Sequence, residues 1–188
     1  GREEQRFWEA YFKRMLNRND IQVIPTNGRT RLHQELIAIT LQPKFGQVRW
    51  LGVAQDADTS AHAAFQRIGG ALAASGLPRP ITSWSSIDSR PAVAVFVWPD
   101  GVTDGDLEGM IWGLVEANDH QRAECVEQYI GCIAASGSPR AAFSGKARVH
   151  AYVASLARPD WRLGEAMEAG ALPLATGIAR LNTLLRIP

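Results

Sequence analysis

The apolar positions change period along the chain, and each change marks a new element. Residues 3–17 place Phe7, Trp8, Tyr11, Phe12, Met15 and Leu16 on one face at helical spacing. Asn17 to Asp20 ends that helix. Ile21-Gln-Val-Ile24 reads as a short strand closed by Pro25, and Thr26-Asn-Gly28 as a turn of residue types that tolerate positive φ. A second helix is predicted over 30–41, with Leu32, Leu36, Ile37 and Leu41 inward, broken by Pro43 and Gly46. Residues 48–54 form the next strand, which stops at Gln55-Asp-Ala-Asp58. A helix over 60–74 uses Ala64, Phe65, Ile68 and Leu72. The Gly/Pro/Ser-rich stretch 75–90 reads as a loop with a short strand near Ile81. Ala92-Val-Ala-Val-Phe-Val-Trp98 is the most apolar run. A strand without polar alternation is one covered on both faces, as in a parallel sheet.

Beyond Asp104 the pattern is helical only, with helices predicted over 105–117, 120–135, 145–157 and 173–186 and a short one near 161–169. The alternation of helix and strand predicts an α/β fold. Right-handed crossovers give a mainly parallel sheet flanked by helices. Such an alternation begins with a strand, so a first strand is expected before Gly1. The expected organisation is an α/β domain over 1–118, with a helical C-terminal extension over 119–188 packed on the same domain.

Composition narrows the class. A chain of 188 residues with a 46% hydrophobic share and a net charge of +1 is about one domain, not a disordered segment. At this size roughly 70% of the unfolded surface is buried on folding, so neither disulfides nor a structural metal are needed. Cys125 and Cys132 are no disulfide scaffold. Their seven-residue spacing on a helix is a core spacing, not a zinc pair. No apolar run reaches the roughly 18 residues of a membrane helix and no signal peptide is evident, so the expectation is a cytoplasmic protein without a membrane partner. The charge is uneven. Residues 1–60 carry 9 basic and 7 acidic side chains, 61–120 carry 3 and 7, and 121–188 carry 8 and 5. That excludes a protein held on DNA by uniform basicity. It suits a cation-binding acidic centre with basic flanks, or equally a solvated surface.

In open α/β sheets ligands lie at the carboxyl ends of strands, here after Ile24, Ala54 and Trp98. The second of these ends in Asp56-Ala-Asp58. Carboxylates at i and i+2 can point the same way, and a divalent cation would relieve their repulsion. Mg²⁺ takes hard oxygen ligands and keeps several waters. The same residues precede a helix, where a turn or N-cap role is the plainer alternative. The third end is followed by a second acidic run, Asp100 to Glu108. Glu108 falls in a helical first turn, where the dipole favours a carboxylate. Glu3 and Glu4 add acidity at the N-terminus. His33, His62, His120 and His150 have no metal spacing. Thr26-Asn-Gly28-Arg29 could bind phosphate through backbone amides, or be a simple turn. Arg29 and Arg31 line a phosphate path or are solvated. Trp161 is the tryptophan expected to be exposed.

Gly1-Arg-Glu-Glu4-Gln-Arg-Phe7, the strand-ending Asp56-Ala-Asp58, and Pro99 with Gly105-Asp-Leu-Glu108 resemble the Toprim fold. They resemble in particular a bacterial Toprim-like family of unknown function, related to the OLD-type nucleases and to the Toprim domains of primases and topoisomerases. The resemblance spans about residues 1–115 and reaches more loosely to Lys146 and Tyr152. In the family the first strand ends in Glu-Gly with an acidic residue four positions after the Glu; Gly1 and Glu4 match the latter two, and the Glu would immediately precede Gly1. The resemblance implies a Rossmann-like sheet and Mg²⁺ or Mn²⁺ held by Asp56 and Asp58 together with the Glu expected before Gly1, with Glu4 or Glu108 serving a second ion or an outer-shell water. It implies Lys146 as a catalytic lysine near phosphate, and phosphodiester processing as a nuclease acting on DNA or RNA. An ATPase partner follows by family analogy. The alternative is a noncatalytic module that binds nucleotide or nucleic acid, or regulates, with a degenerate site.

Overall fold

The computed structural model describes residues 2–26, 28–137, 144–174 and 178. They form an α/β protein with seven α-helices and one three-stranded mixed sheet. In chain order the elements are α1 (Arg2–Leu16), α2 (Leu32–Thr40), β1 (Trp50–Asp56), α3 (Ala61–Ala74), β2 (Ser85–Ile87), β3 (Ala92–Trp98), α4 (Leu107–Asn118), α5 (His120–Ala135), α6 (Gly145–Ala154) and α7 (Leu163–Ala169). The chain divides into two compact units. One comprises Gly1–Pro25 with Glu108–Ile178; the other, over its described residues, is Thr26–Leu107.

The sheet unit has strand order β1-β3-β2. β1 and β3 run parallel in full register, from Trp50 opposite Ala92 to Asp56 opposite Trp98. β2 is antiparallel to β3. The sheet is therefore mixed, and the loop 75–90 that reads as irregular supplies the third strand at 85–87. Ile81, near which a strand is expected, is 92% exposed. One sheet face carries Val53, Val93, Val95 and Val97, packed with Leu36 of α2 and Ala64, Ile68 and Leu72 of α3. The opposite face is aromatic. Trp84, Phe96 and Trp98 are all buried, with the Trp84 and Trp98 rings edge-on at 5.0 Å. Apolar side chains on both faces of β3 explain its unbroken run in the sequence. α2 ends one residue before Leu41, which is exposed rather than inward.

The helical unit is built around α1 and α4–α7. Phe7 and Tyr11 of α1 are fully buried and stack with ring centroids 6.2 Å apart. Buried Leu163, Ala166 and Met167 of α7 supply the apolar face of that helix. α1 and α7 are in contact, and the Arg6 guanidinium donates to the Glu165 carboxylate at 3.0 Å. Tyr11 accepts from the Ile178 amide at 2.9 Å. Ile21–Ile24, expected as a strand, is irregular chain whose exposure alternates but which pairs with no described strand. Cys125 and Cys132, whose spacing reads as core, are exposed, because α5 turns Ala123, Val126 and Ile130 inward. The helix predicted over 173–186 lies almost wholly outside the described residues.

Candidate functional site

β1 delivers Asp56 as its last residue, directly opposite Trp98 on β3. The next residues turn sharply. The Ala57 amide donates to the Trp98 carbonyl at 2.9 Å, prolonging the parallel ladder by one bond. Asp58 then adopts φ 53, a left-handed conformation that Asp tolerates better than most residues. Ser60 is the N-cap of α3, its hydroxyl accepting from the Ala63 amide at 3.1 Å. The N-cap alternative of the sequence is thus met by Ser60.

The loop after β3 meets this turn residue by residue. Asp58 and Gly105 form a two-way bridge: the Asp58 amide donates to the Gly105 carbonyl at 2.7 Å, and the Gly105 amide returns to the Asp58 carbonyl at 3.0 Å. Gly105 sits at φ 142, a conformation open to glycine alone in practice. Around the bridge the two strand ends exchange caps. Asp56 Oδ1 accepts from the Leu107 amide at 3.0 Å, the first residue of α4. Asp104 Oδ1 accepts from the Ala61 amide at 3.1 Å, the first residue of α3. Each carboxylate thereby satisfies an amide at a helix N-terminus that has no partner within its own helix. Asp100 folds its loop in the same way. Its Oδ1 accepts from the Val102 and Thr103 amides at 2.8 and 2.7 Å. Those bonds, the Thr103 one first, hold its carboxyl below the ordinary aspartate range.

The other candidates lie in the helical unit. Glu108, in the first turn of α4, is largely buried and pairs with Lys146 Nζ at 3.7 Å. The Lys146 side chain is 61% exposed. Gly145 makes this approach close: a Cβ there would stand 2.7 Å from the backbone of Gly109. Ser144 caps α6 by accepting from the Ala147 amide. Glu4 occupies the first turn of α1, half-buried. The structure thus brings Asp56 to the same turn as Asp58, and Glu108 to Lys146. Among the described residues no three of His, Cys, Asp and Glu gather as ligands of one ion. The four histidines are exposed, and Trp161 is half-buried under the Arg158 guanidinium at 5.9 Å.

A further cluster joins Tyr152 to Asp119 and Arg122. The Tyr152 hydroxyl, on a side chain 1% exposed, donates to Asp119 Oδ2 at 2.9 Å, and Arg122 donates to the same oxygen at 2.9 Å. Burial first, then the hydrogen bond and charge of Asp119, push the Tyr152 hydroxyl up to about 12. Burial raises Asp119 in turn, but the bonds from Tyr152 and Arg122 outweigh it and leave the carboxyl below its ordinary range. The resemblance reaches Tyr152 without giving it a role, and its partner Asp119, 33 residues away, carries only the signal of standing just before a helix.

Fold and strand ends define an α/β protein whose parallel β1–β3 pair ends in acidic, mutually bonded loops. The chain belongs to the DUF3226 family, described as proteins of unknown function, whose model matches residues 1–184. No curated protein and no solved structure matches it.

Proposed function

We propose that this protein is a Toprim-like, Mg²⁺-dependent phosphodiester-processing protein, a nuclease acting on DNA or RNA. The observation that carries the reading is the placement of Asp56 and Asp58 at the carboxyl end of a parallel strand pair, where α/β sheets hold their ligands. The donor set fits the ion. Mg²⁺ is held by one or two carboxylates, with waters and substrate phosphates filling its octahedron. Asp56 and Asp58 would hold it, and the bound ion would supply Lewis-acid stabilisation of phosphoryl charge. Glu4, Glu108 and Lys146 keep the roles the resemblance gives them. The Lys146 ammonium, exposed and beside Glu108, suits a point charge for phosphate.

The test is cleavage of plasmid and single-stranded substrates with Mg²⁺ or Mn²⁺. Asp56→Asn keeps an oxygen for the Leu107 amide but removes the charge. Its expected loss of rate is 100-fold or more, with Lys146→Met also slowed. Cleavage by Asp56→Asn at the unaltered rate sinks the assignment. A second reading is a noncatalytic binding or regulatory module. It is favoured by the use of Asp56 and Asp104 as helix caps. Calorimetry separates the two: a protein that binds a nucleotide or oligonucleotide yet shows no Mg²⁺ heat and no Mg²⁺-linked rise in melting temperature belongs to the second.

A further inference from the structure

We infer that the turn after β1 and the loop after β3 form one cross-braced unit, which opens and closes as a whole and carries a change at Asp56 into both helices that follow. This bracing needs no ligand and holds whatever the protein acts on. Its basis is the crossing of the caps. The carboxylate that ends β1 serves the helix after β3, through Leu107. The carboxylate that follows β3 serves the helix after β1, through Ala61. Between the two caps lie both bonds of the Asp58–Gly105 bridge. Four hydrogen bonds therefore tie residues 56–61 to residues 104–107.

Both segments are short, and each has a residue at positive φ in its middle: Asp58 at 53° and Gly105 at 142°. The left-handed backbone of Asp58 persists only where its surroundings over-determine it, while Gly105 occupies a region that glycine alone reaches readily. Had each helix only a cap from the loop directly before it, as Ser60 gives α3, either loop could open alone. With the two crossed bonds added, freeing the Leu107 amide slackens the loop that holds Ala61, and freeing Ala61 slackens the turn that holds Leu107. Local openings of this kind occur as cooperative units, and amide exchange reads them.

The experiment is residue-resolved hydrogen exchange on the full chain. The amides followed are Asp58, Ala61, Gly105 and Leu107, with Val95 in the buried β3 as the control. In Asp104→Ala the expected result is faster exchange at Ala61, the amide that loses its partner, and also at Asp58 and Leu107, by fivefold or more. Asp56→Ala is expected to do the reverse, exposing Leu107 directly and Ala61 at a distance. Asp104→Asn, which keeps an acceptor oxygen, is expected to restore protection at all four amides. Acceleration confined to the amide that lost its acceptor, with the partner loop within twofold of wild type, overturns the inference. So does an equal acceleration at Val95, which would make the loss global. The two Ala variants read the coupling from opposite ends, so either one that folds decides the question.

Discussion

Asp56 has one observed role and one proposed role. As a helix cap it accepts from the Leu107 amide; in the proposed function it would also hold a cation. The two roles are separable by substitution. Removing an N-terminal cap costs about 1 kcal/mol, and Asn caps as well as Asp does. Asp56→Ala is therefore expected to lower unfolding free energy by about 1 kcal/mol in urea titrations, while Asp56→Asn stays near wild type. Tyr152 gives a second residue-level outcome. Its hydroxyl is raised from 10.0 to about 12 in the fold, so the protonated form is the one the fold favours. The stabilisation is complete below pH 10 and is lost as pH rises from there through about 12. Wild type is thus expected to lose melting temperature across that window more steeply than Tyr152→Phe, followed by circular dichroism. At this scale the sequence reveals residue types and their place along the chain, and so puts Asp56 and Asp58 at a strand end and Glu108 in a helical first turn, where the structure has them. It does not reveal partners such as Ala61, 43 residues from Asp104, because no periodicity encodes a side chain reaching across the fold to a backbone amide.

Elements whose signal is local were legible, and those that depend on a neighbour were not. α1, α3 and β3 fall within a residue or two of their predicted spans, since amphipathic spacing and an apolar run are properties of the segment itself. Ile21–Ile24 has strand-forming residues, but a strand exists only through its pairing, and the described chain provides none there. β2 is the converse: Ser85–Ile87 has weak strand character, and β3 recruits it as an antiparallel neighbour. Leu41 shows the limit of periodicity at an end, where the helix stops before the residue can turn inward. The contact of α4 with α6 yields a prediction at the same scale. A methyl at Gly145 would press on the Gly109 backbone, which cannot yield as a side-chain tip can. Overpacking of this kind typically costs about 1–3 kcal/mol. Gly145→Ala is expected to lower stability by that amount in denaturant titrations.

For the whole molecule, the alternation of helix and strand named the α/β class correctly but placed α1 in series with the strands. The contacts of α1 with α7 make it part of a helical unit whose other members come after the sheet. Nothing in a linear pattern marks such a return, because the matching faces are both simply apolar. Phe7, fully buried in that unit, is the residue on which to test it. Truncating a buried Phe costs about 3–5 kcal/mol. Phe7→Ala is expected to weaken protection of the amides of α7, more than 150 residues later, in hydrogen exchange. Among the described residues no helix is long and apolar enough to cross a membrane.

The same return has a consequence for how the chain is made. Arg6 and Glu165 are separated by 159 positions. At roughly 5–20 residues per second, translation needs about 8–30 s to deliver the second after the first. Through that interval the apolar face of α1, with Phe7, Trp8 and Tyr11, has left the ribosome while its α7 partner does not yet exist. The nascent chain therefore passes through a stage in which the apolar side chains of α1 are made and the α7 residues that pack with them are not.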